Sequence, residues 1–317
     1  MLHILKVTGM GLGLWFAISL LNACKGNNGG QETSSGEPDT LRIMVSVPPL
    51  ADLVQKVGGN EVHVDILVEK GQDPHTFSPS PAQMKTLGMA NILLTVGMPF
   101  EEALIEKITD TNAGITVVDA AAGIEKLELE HHHHEEDEEE TEDGHDHHDH
   151  DSDPHVWLAP YSIQVQLDNI EKALAAAIPA KAGKFAENLK KARSELNRAH
   201  EQITGKLKPF AGRKFFVFHP AFGYFANEYG LEQIAIEIGG NSPTPSELIG
   251  FLAVARAAEI QVIFIQPQFD PRSAEVIAKE LGAKVAILDP LAPDVIANLH
   301  AITDAIVEGF SGLKGGL

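Results

Sequence analysis

The stretch KAGKFAENLKKARSELNRAHEQITGKL (181–207) carries Phe185, Leu189, Ala192, Leu196, Ala199, Ile203 and Leu207 at intervals of three or four. That period is the buried stripe of one amphipathic helix. About 27 residues at 1.5 Å each predict a rod of roughly 40 Å, long enough to run beside two domains. The competing reading is a coiled coil with a second molecule. Alanine at several seam positions suits closer packing within the chain. Upstream, Pro179 separates this run from an earlier helical stretch, and nothing between Tyr161 and Leu207 reads as a strand.

On both sides of this helical middle the pattern changes. Before it, short runs rich in β-branched residues occur at Leu41–Val47, Val62–Val68, Ile92–Val96 and Ile115–Val118. After it they occur at Phe215–Phe218, Ile234–Ile238, Val262–Ile265 and Val285–Leu288. Helical segments lie between them. One opens at Pro49 and stops at Gly58-Gly59, and another is started by the cap pair Ser80-Pro81 and runs to about Met89. Strands alternating with helices predict parallel sheets built from βαβ units. The expected fold is therefore α/β, with two βα lobes, each holding a roughly four-stranded, mainly parallel sheet, joined by one long backbone helix. The expected limits are 41–160 for the N-terminal lobe, 161–210 for the helical connector and 211–317 for the C-terminal lobe. A length of 317 residues suits two domains of about 150.

The formal charge of −21, from 24 basic and 45 acidic side chains, argues against nucleic acid, whose phosphates need clustered Lys and Arg. The acidity is concentrated. Residues 128–153 hold 14 carboxylates and no Lys or Arg. Within the insert 128–152 stand His131, His132, His133, His134, His145, His147, His148 and His150. Such a composition cannot bury a core and predicts a disordered loop. At the other extreme, Lys6, the apolar run Val7–Leu21 and Leu21-Asn22-Ala23-Cys24 read as a secretory signal peptide over 1–23. The last four residues resemble a bacterial lipobox, which makes Cys24 the lipidated first residue of the mature chain. An apolar run of about 15 residues is short for a plain transmembrane anchor. Cys24 is the one cysteine, so no intrachain disulfide forms, and the polar residues of 24–40 are expected to act as a flexible tether.

The 15 histidines carry unequal weight. His3 lies in the signal peptide, while His63, His200 and His300 fall in strand or helix patterns and read as solvated or core-satisfied. His200-Glu201 lacks the second histidine that a zinc-protease helix requires, because position 204 is Thr. His75, His155 and His219 differ. Each stands beside proline, near the end of a strand or at a lobe border, and His75 and His155 share the tripeptide Asp-Pro-His (73–75 and 153–155). Proline stiffens such turns and can aim an imidazole, and open α/β sheets bind ligands outside the carboxyl ends of their strands. Asp289 occupies an equivalent place, after Val285–Leu288 and before Pro290. Three imidazoles and a carboxylate suit four-coordinate zinc. Residues 64 to 80 positions apart nevertheless form a weak motif on spacing alone. Asp73 and Asp153 can orient the imidazoles from behind or simply cap their turns.

The segments VSVPPLADLVQKVGG (45–59), VEKGQDPHTFSPSPAQM (68–84), DPHVWLAP (153–160), FHPAFGYFANEYGL (218–231) and IQPQFDPRSAEVIAKELGAKVAILDPL (265–291) together resemble the ZnuA-like zinc receptors of ABC importers. Manganese-binding adhesin-type lipoproteins are relatives of that family. The resemblance spans most of the mature chain and implies a metal cleft between the lobes, with His75, His155, His219 and Asp289 around a Zn2+ ion. It further implies an extracytoplasmic, lipid-anchored monomer, periplasmic or on the cell surface, that hands zinc to a membrane permease. Manganese-type relatives usually have Glu where His219 stands, and imidazole suits zinc better. Two positions depart from the pattern: Ala159 replaces a common aspartate and Gln266 a frequent glutamate. The insert also resembles those of zinc-type relatives, where it would collect zinc weakly beside the cleft. A manganese-type receptor or adhesin is the nearest rival, and a zinc hydrolase is a more distant one because no motif places a general base.

Overall fold

The computed structural model describes residues 40–111, 114–128, 152–237 and 244–312. All eight expected strands form: β1 (Leu41–Val45), β2 (Val62–Ile66), β3 (Ile92–Thr95), β4 (Thr116–Asp119), β5 (Lys214–Val217), β6 (Glu232–Ala235), β7 (Val262–Ile265) and β8 (Lys284–Ile287). They pair into two four-stranded sheets, ordered β2-β1-β3-β4 and β6-β5-β7-β8, with every pairing parallel. Strands β1 and β2 end two residues before their apolar runs do. Val47, Leu67, Val68 and Val96 lie beyond the paired residues yet are fully buried. Backbone bonds continue past the strand ends, from the Leu67 N–H to Val45 O and from the Val68 N–H to Ser46 O, so the turns at the carboxyl ends of the first sheet stay in the core.

The helices are α1 (Pro48–Gly58), α2 (Pro81–Leu87), α3 (Pro99–Thr111), α4 (Pro160–Ala177), α5 (Ala182–Leu207), α6 (Gly223–Tyr229), α7 (Pro245–Ala257), α8 (Pro271–Leu281) and α9 (Val295–Ser311). Helix α2 begins with a complete capping box, Ser80 with Gln83, behind Pro81. Helix α5 is the expected rod, 26 residues long. Phe185, Ala192, Leu196, Ala199, Ile203 and Leu207 are buried along it, with Leu189 partly buried. That stripe packs against α1, α4 and α9, so its partners lie in the same chain. The Asp168–Arg193 ion pair also ties α4 to α5.

One large apolar cluster joins the inward faces of both sheets to α1, α4, α5 and α9. Two satellites cover the outward faces: Met44, Leu67, Leu87 and Leu93 belong to one, and Phe216, Ile234, Phe251 and Ile263 to the other. Across the shared core, Asp52 on α1 accepts the Val295 N–H that opens α9, at 3.2 Å. In each sheet the strand order reverses between the two central strands, β1/β3 and β5/β7, which is where such folds bind ligands.

The ends of the acidic insert meet in an antiparallel bridge, Glu128 with Ser152. The insert's eight histidines, the expected signal peptide and Cys24 lie outside the described residues. So does Ile238, the last residue of the strand expected at Ile234–Ile238. Among the described residues no helix is long and apolar enough to cross a membrane.

Candidate metal centre

The two Asp-Pro-His tripeptides fold alike but use their carboxylates differently. In the first, Asp73 Oδ1 accepts the His75 N–H at 2.9 Å and Oδ2 accepts Thr76 Oγ1–H at 3.0 Å. Asp73 thus caps the turn between β2 and α2 and leaves the His75 ring alone. In the second, Asp153 Oδ1 accepts the His155 N–H at 2.9 Å and also meets Nδ1 of the ring at 2.7 Å. One carboxylate sets both the backbone and the side chain of His155. The following turn, Val156–Leu158, is buried, and Trp157 Nε1–H donates to Pro290 O at 2.7 Å. This turn therefore pins the segment leading into α4 to the loop after β8.

His219 stands two residues beyond β5. Its backbone N–H donates to Gln266 Oε1 and its carbonyl accepts from Gln266 Nε2, both at 3.1 Å. A carboxylate could not make the second of these bonds, so the departure at Gln266 has a function: the amide clamps the β5 turn to the end of β7. On the ring, Nδ1 lies 2.9 Å from Glu237 Oε2, and Phe269 stacks at 5.1 Å. Glu237 was missed in the sequence because the run Ile234–Ile238 reads as strand. In fact β6 stops at Ala235 and the carboxylate sits at its carboxyl end. A buried acid past a parallel strand was the available signal. The other departure, Ala159, occupies the N-cap of α4 with no side-chain cap bond.

The three rings converge. His75 Nε2 lies 3.3 Å from His155 Nε2, and His219 Nε2 lies 3.4 Å from the same atom. One ligand nitrogen from each ring falls within 4.8 Å of the others. Two nitrogens bound to a tetrahedral ion at 2.0–2.1 Å stand about 3.3–3.4 Å apart. The spacing is that of ligands around one zinc-sized ion. With Nδ1–H donated to Asp153 and Glu237, the Nε2 lone pairs of His155 and His219 face the common point.

Burial pushes His75 down to about 3, helped by His155 and His219 beside it, and burial also holds His155 well below the ordinary histidine value. Both rings therefore stay neutral, the form that binds metal. Burial raises Asp153 to about 7. A cation on His155 Nε2 would make the opposite N–H more acidic and favour the charged carboxylate.

Asp289, expected as a fourth ligand, does not join the three-imidazole group. Its Oδ1 instead accepts from Gln268 Nε2 at 3.1 Å and from the Leu291 N–H at 2.9 Å. The remaining histidines stand apart. His63 is exposed beside Asp65, His200 meets Tyr229 Oη at 3.2 Å, and His300 lines an open groove between α1, α5 and α9.

The family described as "zinc-uptake complex component A periplasmic" matches residues 43–309. The high-affinity zinc uptake system protein ZnuA of Bacillus subtilis is 27% identical over 284 residues, covering 89% of this chain and 88% of that one. A putative metal-binding protein of Chlamydia muridarum is 25% identical over 272 residues, covering 86% and 92%. A crystal structure of a ZnuA superposes with a TM-score of 0.77 at 36% identity, over 86% of this chain and 99% of that one. The family is one of metal-binding transport receptors, not enzymes, which removes the hydrolase reading. A paired α/β architecture with converging imidazoles, matched along nearly its whole described length, places this chain in the ZnuA family of periplasmic zinc-uptake receptors.

Proposed function

We propose that this protein captures one zinc ion between His75, His155 and His219 and delivers it to the permease of an ABC importer. The observation that carries the reading is the spacing of the Nε2 atoms, 3.3 and 3.4 Å, from three separate segments of the chain. Nitrogen donors favour zinc over manganese, and the zinc-uptake relatives support the same cargo. Asp153 and Glu237 hold two of the rings in the ligand tautomer, and Asp73 only caps its turn. The protein acts as a monomer outside the cytoplasm, led there by residues 1–23 and tethered through lipidated Cys24. The eight histidines of the insert gather zinc weakly near the cleft.

Metal analysis of untagged protein, with calorimetry, tests this. One tight zinc should bind, and His219→Ala should abolish it. Removal of residues 128–152 should leave it in place and eliminate weaker sites. Manganese failing to displace zinc completes the expected result. Tight binding that survives His219→Ala would refute the site.

A further inference from the structure

We propose that Gln268 determines metal specificity by holding the Asp289 carboxylate off the three-imidazole cluster. This rests on the zinc-receptor reading above and deepens it.

Asp289 is tied to the cluster through its neighbours. Its neighbour Pro290 accepts the Trp157 indole N–H, and the Trp157 ring lies 5.5 Å from that of His155. Gln268 adjoins Phe269, whose ring stacks on His219. Yet Oδ1 of Asp289 is engaged by two donors, Gln268 Nε2 and the Leu291 N–H. The second is a local turn bond that the chain makes anyway. The first is a side-chain choice, made at a price in polar pairing: Gln268 Oε1 is buried without a hydrogen-bond partner among the described residues. A carboxylate can only accept, so the amide must present Nε2 to Asp289 and leave Oε1 to the interior. Buried polar atoms are nearly always paired, so an orientation that strands one is kept for what its other end does.

The chemical consequence follows from the donor set. Three imidazoles with the carboxylate withheld leave an N3 site whose fourth position goes to water, which suits tetrahedral zinc. A carboxylate brought into the shell adds a hard oxygen donor and suits manganese. Gln268 therefore keeps the site nitrogen-rich.

The test is a cycle of Gln268→Met, Asp289→Asn and the double variant, read by zinc and manganese competition and by the visible spectrum of the cobalt-loaded protein. In the parent, Asp289→Asn should change zinc affinity by less than the about tenfold at which outer-sphere losses register. Gln268→Met should raise the manganese-to-zinc affinity ratio by about tenfold or more and move the cobalt spectrum away from the tetrahedral pattern. Asp289→Asn on top should reverse both. Gln268→Leu repeats the experiment should the methionine variant fail to fold. An unchanged ratio and spectrum in a folded Gln268 variant overturns the proposal. So does an Asp289→Asn loss as large as that of His219→Ala. Zinc bound tightly by His219→Ala would instead show that the imidazole site itself is misassigned.

Discussion

Replacing Glu237 with leucine removes the acceptor of His219 Nδ1–H, which lies 2.9 Å from Oε2. His219 is 4% exposed and the Glu237 side chain 7%, so water cannot readily take over the bond. Loss of such an outer partner lowers metal affinity by about 10- to 100-fold, equivalent to about 1.4–2.7 kcal/mol. The stranded N–H destabilises the metal-free fold by a further 1–3 kcal/mol, roughly. Glu237→Gln keeps an acceptor and loses the charge, so it should fall between parent and leucine. The turn carrying His219 stays clamped by Gln266 in both variants, so the ring can be perturbed without moving its backbone. Zinc affinity is measured against a fluorescent chelator at pH 7, with thermal melts of the metal-free protein alongside. A leucine variant that melts as a folded protein and binds zinc within about twofold of the parent, far inside the expected outer-sphere loss, would refute the idea that Glu237 fixes this imidazole.

Three further outcomes follow from the same structure. Between pH 7 and 5 an ordinary imidazole of pKa about 6.5 loses about 25-fold in metal affinity to protons, whereas His75, held at about 3, remains neutral across that range. His75 and His155, both held low by burial, should therefore add no proton competition over that range, while Asp153, raised to about 7, should add a shallow decline that Asp153→Asn flattens; either of those two rings seen to protonate near 6.5 in an NMR titration would contradict it. Gly223→Ala would place a methyl 2.7 Å from Asp153 Oδ2. That displaces the carboxylate and its hold on His155, and should weaken zinc binding by about tenfold, read by calorimetry. Leu196→Ala empties a fully enclosed position on α5 and should cost about 2–5 kcal/mol in urea unfolding, with zinc stoichiometry unchanged.

The sequence by itself determined the architecture. The 3.6-residue stripe of α5 and eight β-branched runs are local patterns, and burial of one face dictates each of them. The three histidines that converge were also legible, because proline-stiffened turns mark them and five segments resemble a known family. What only the tertiary structure decided is which side chain meets which across the lobes. The two Asp-Pro-His tripeptides are identical, yet only Asp153 reaches its imidazole. Glu237 looked like one more strand residue, yet it lies past the end of β6 at Ala235 and its carboxylate meets His219. Asp289 reads as a ligand in the sequence, yet its Oδ1 accepts from Gln268 and from the Leu291 N–H. Local periodicity reports burial, which each segment settles against the core, whereas hydrogen-bond partnerships are settled by distances between segments that share no local pattern.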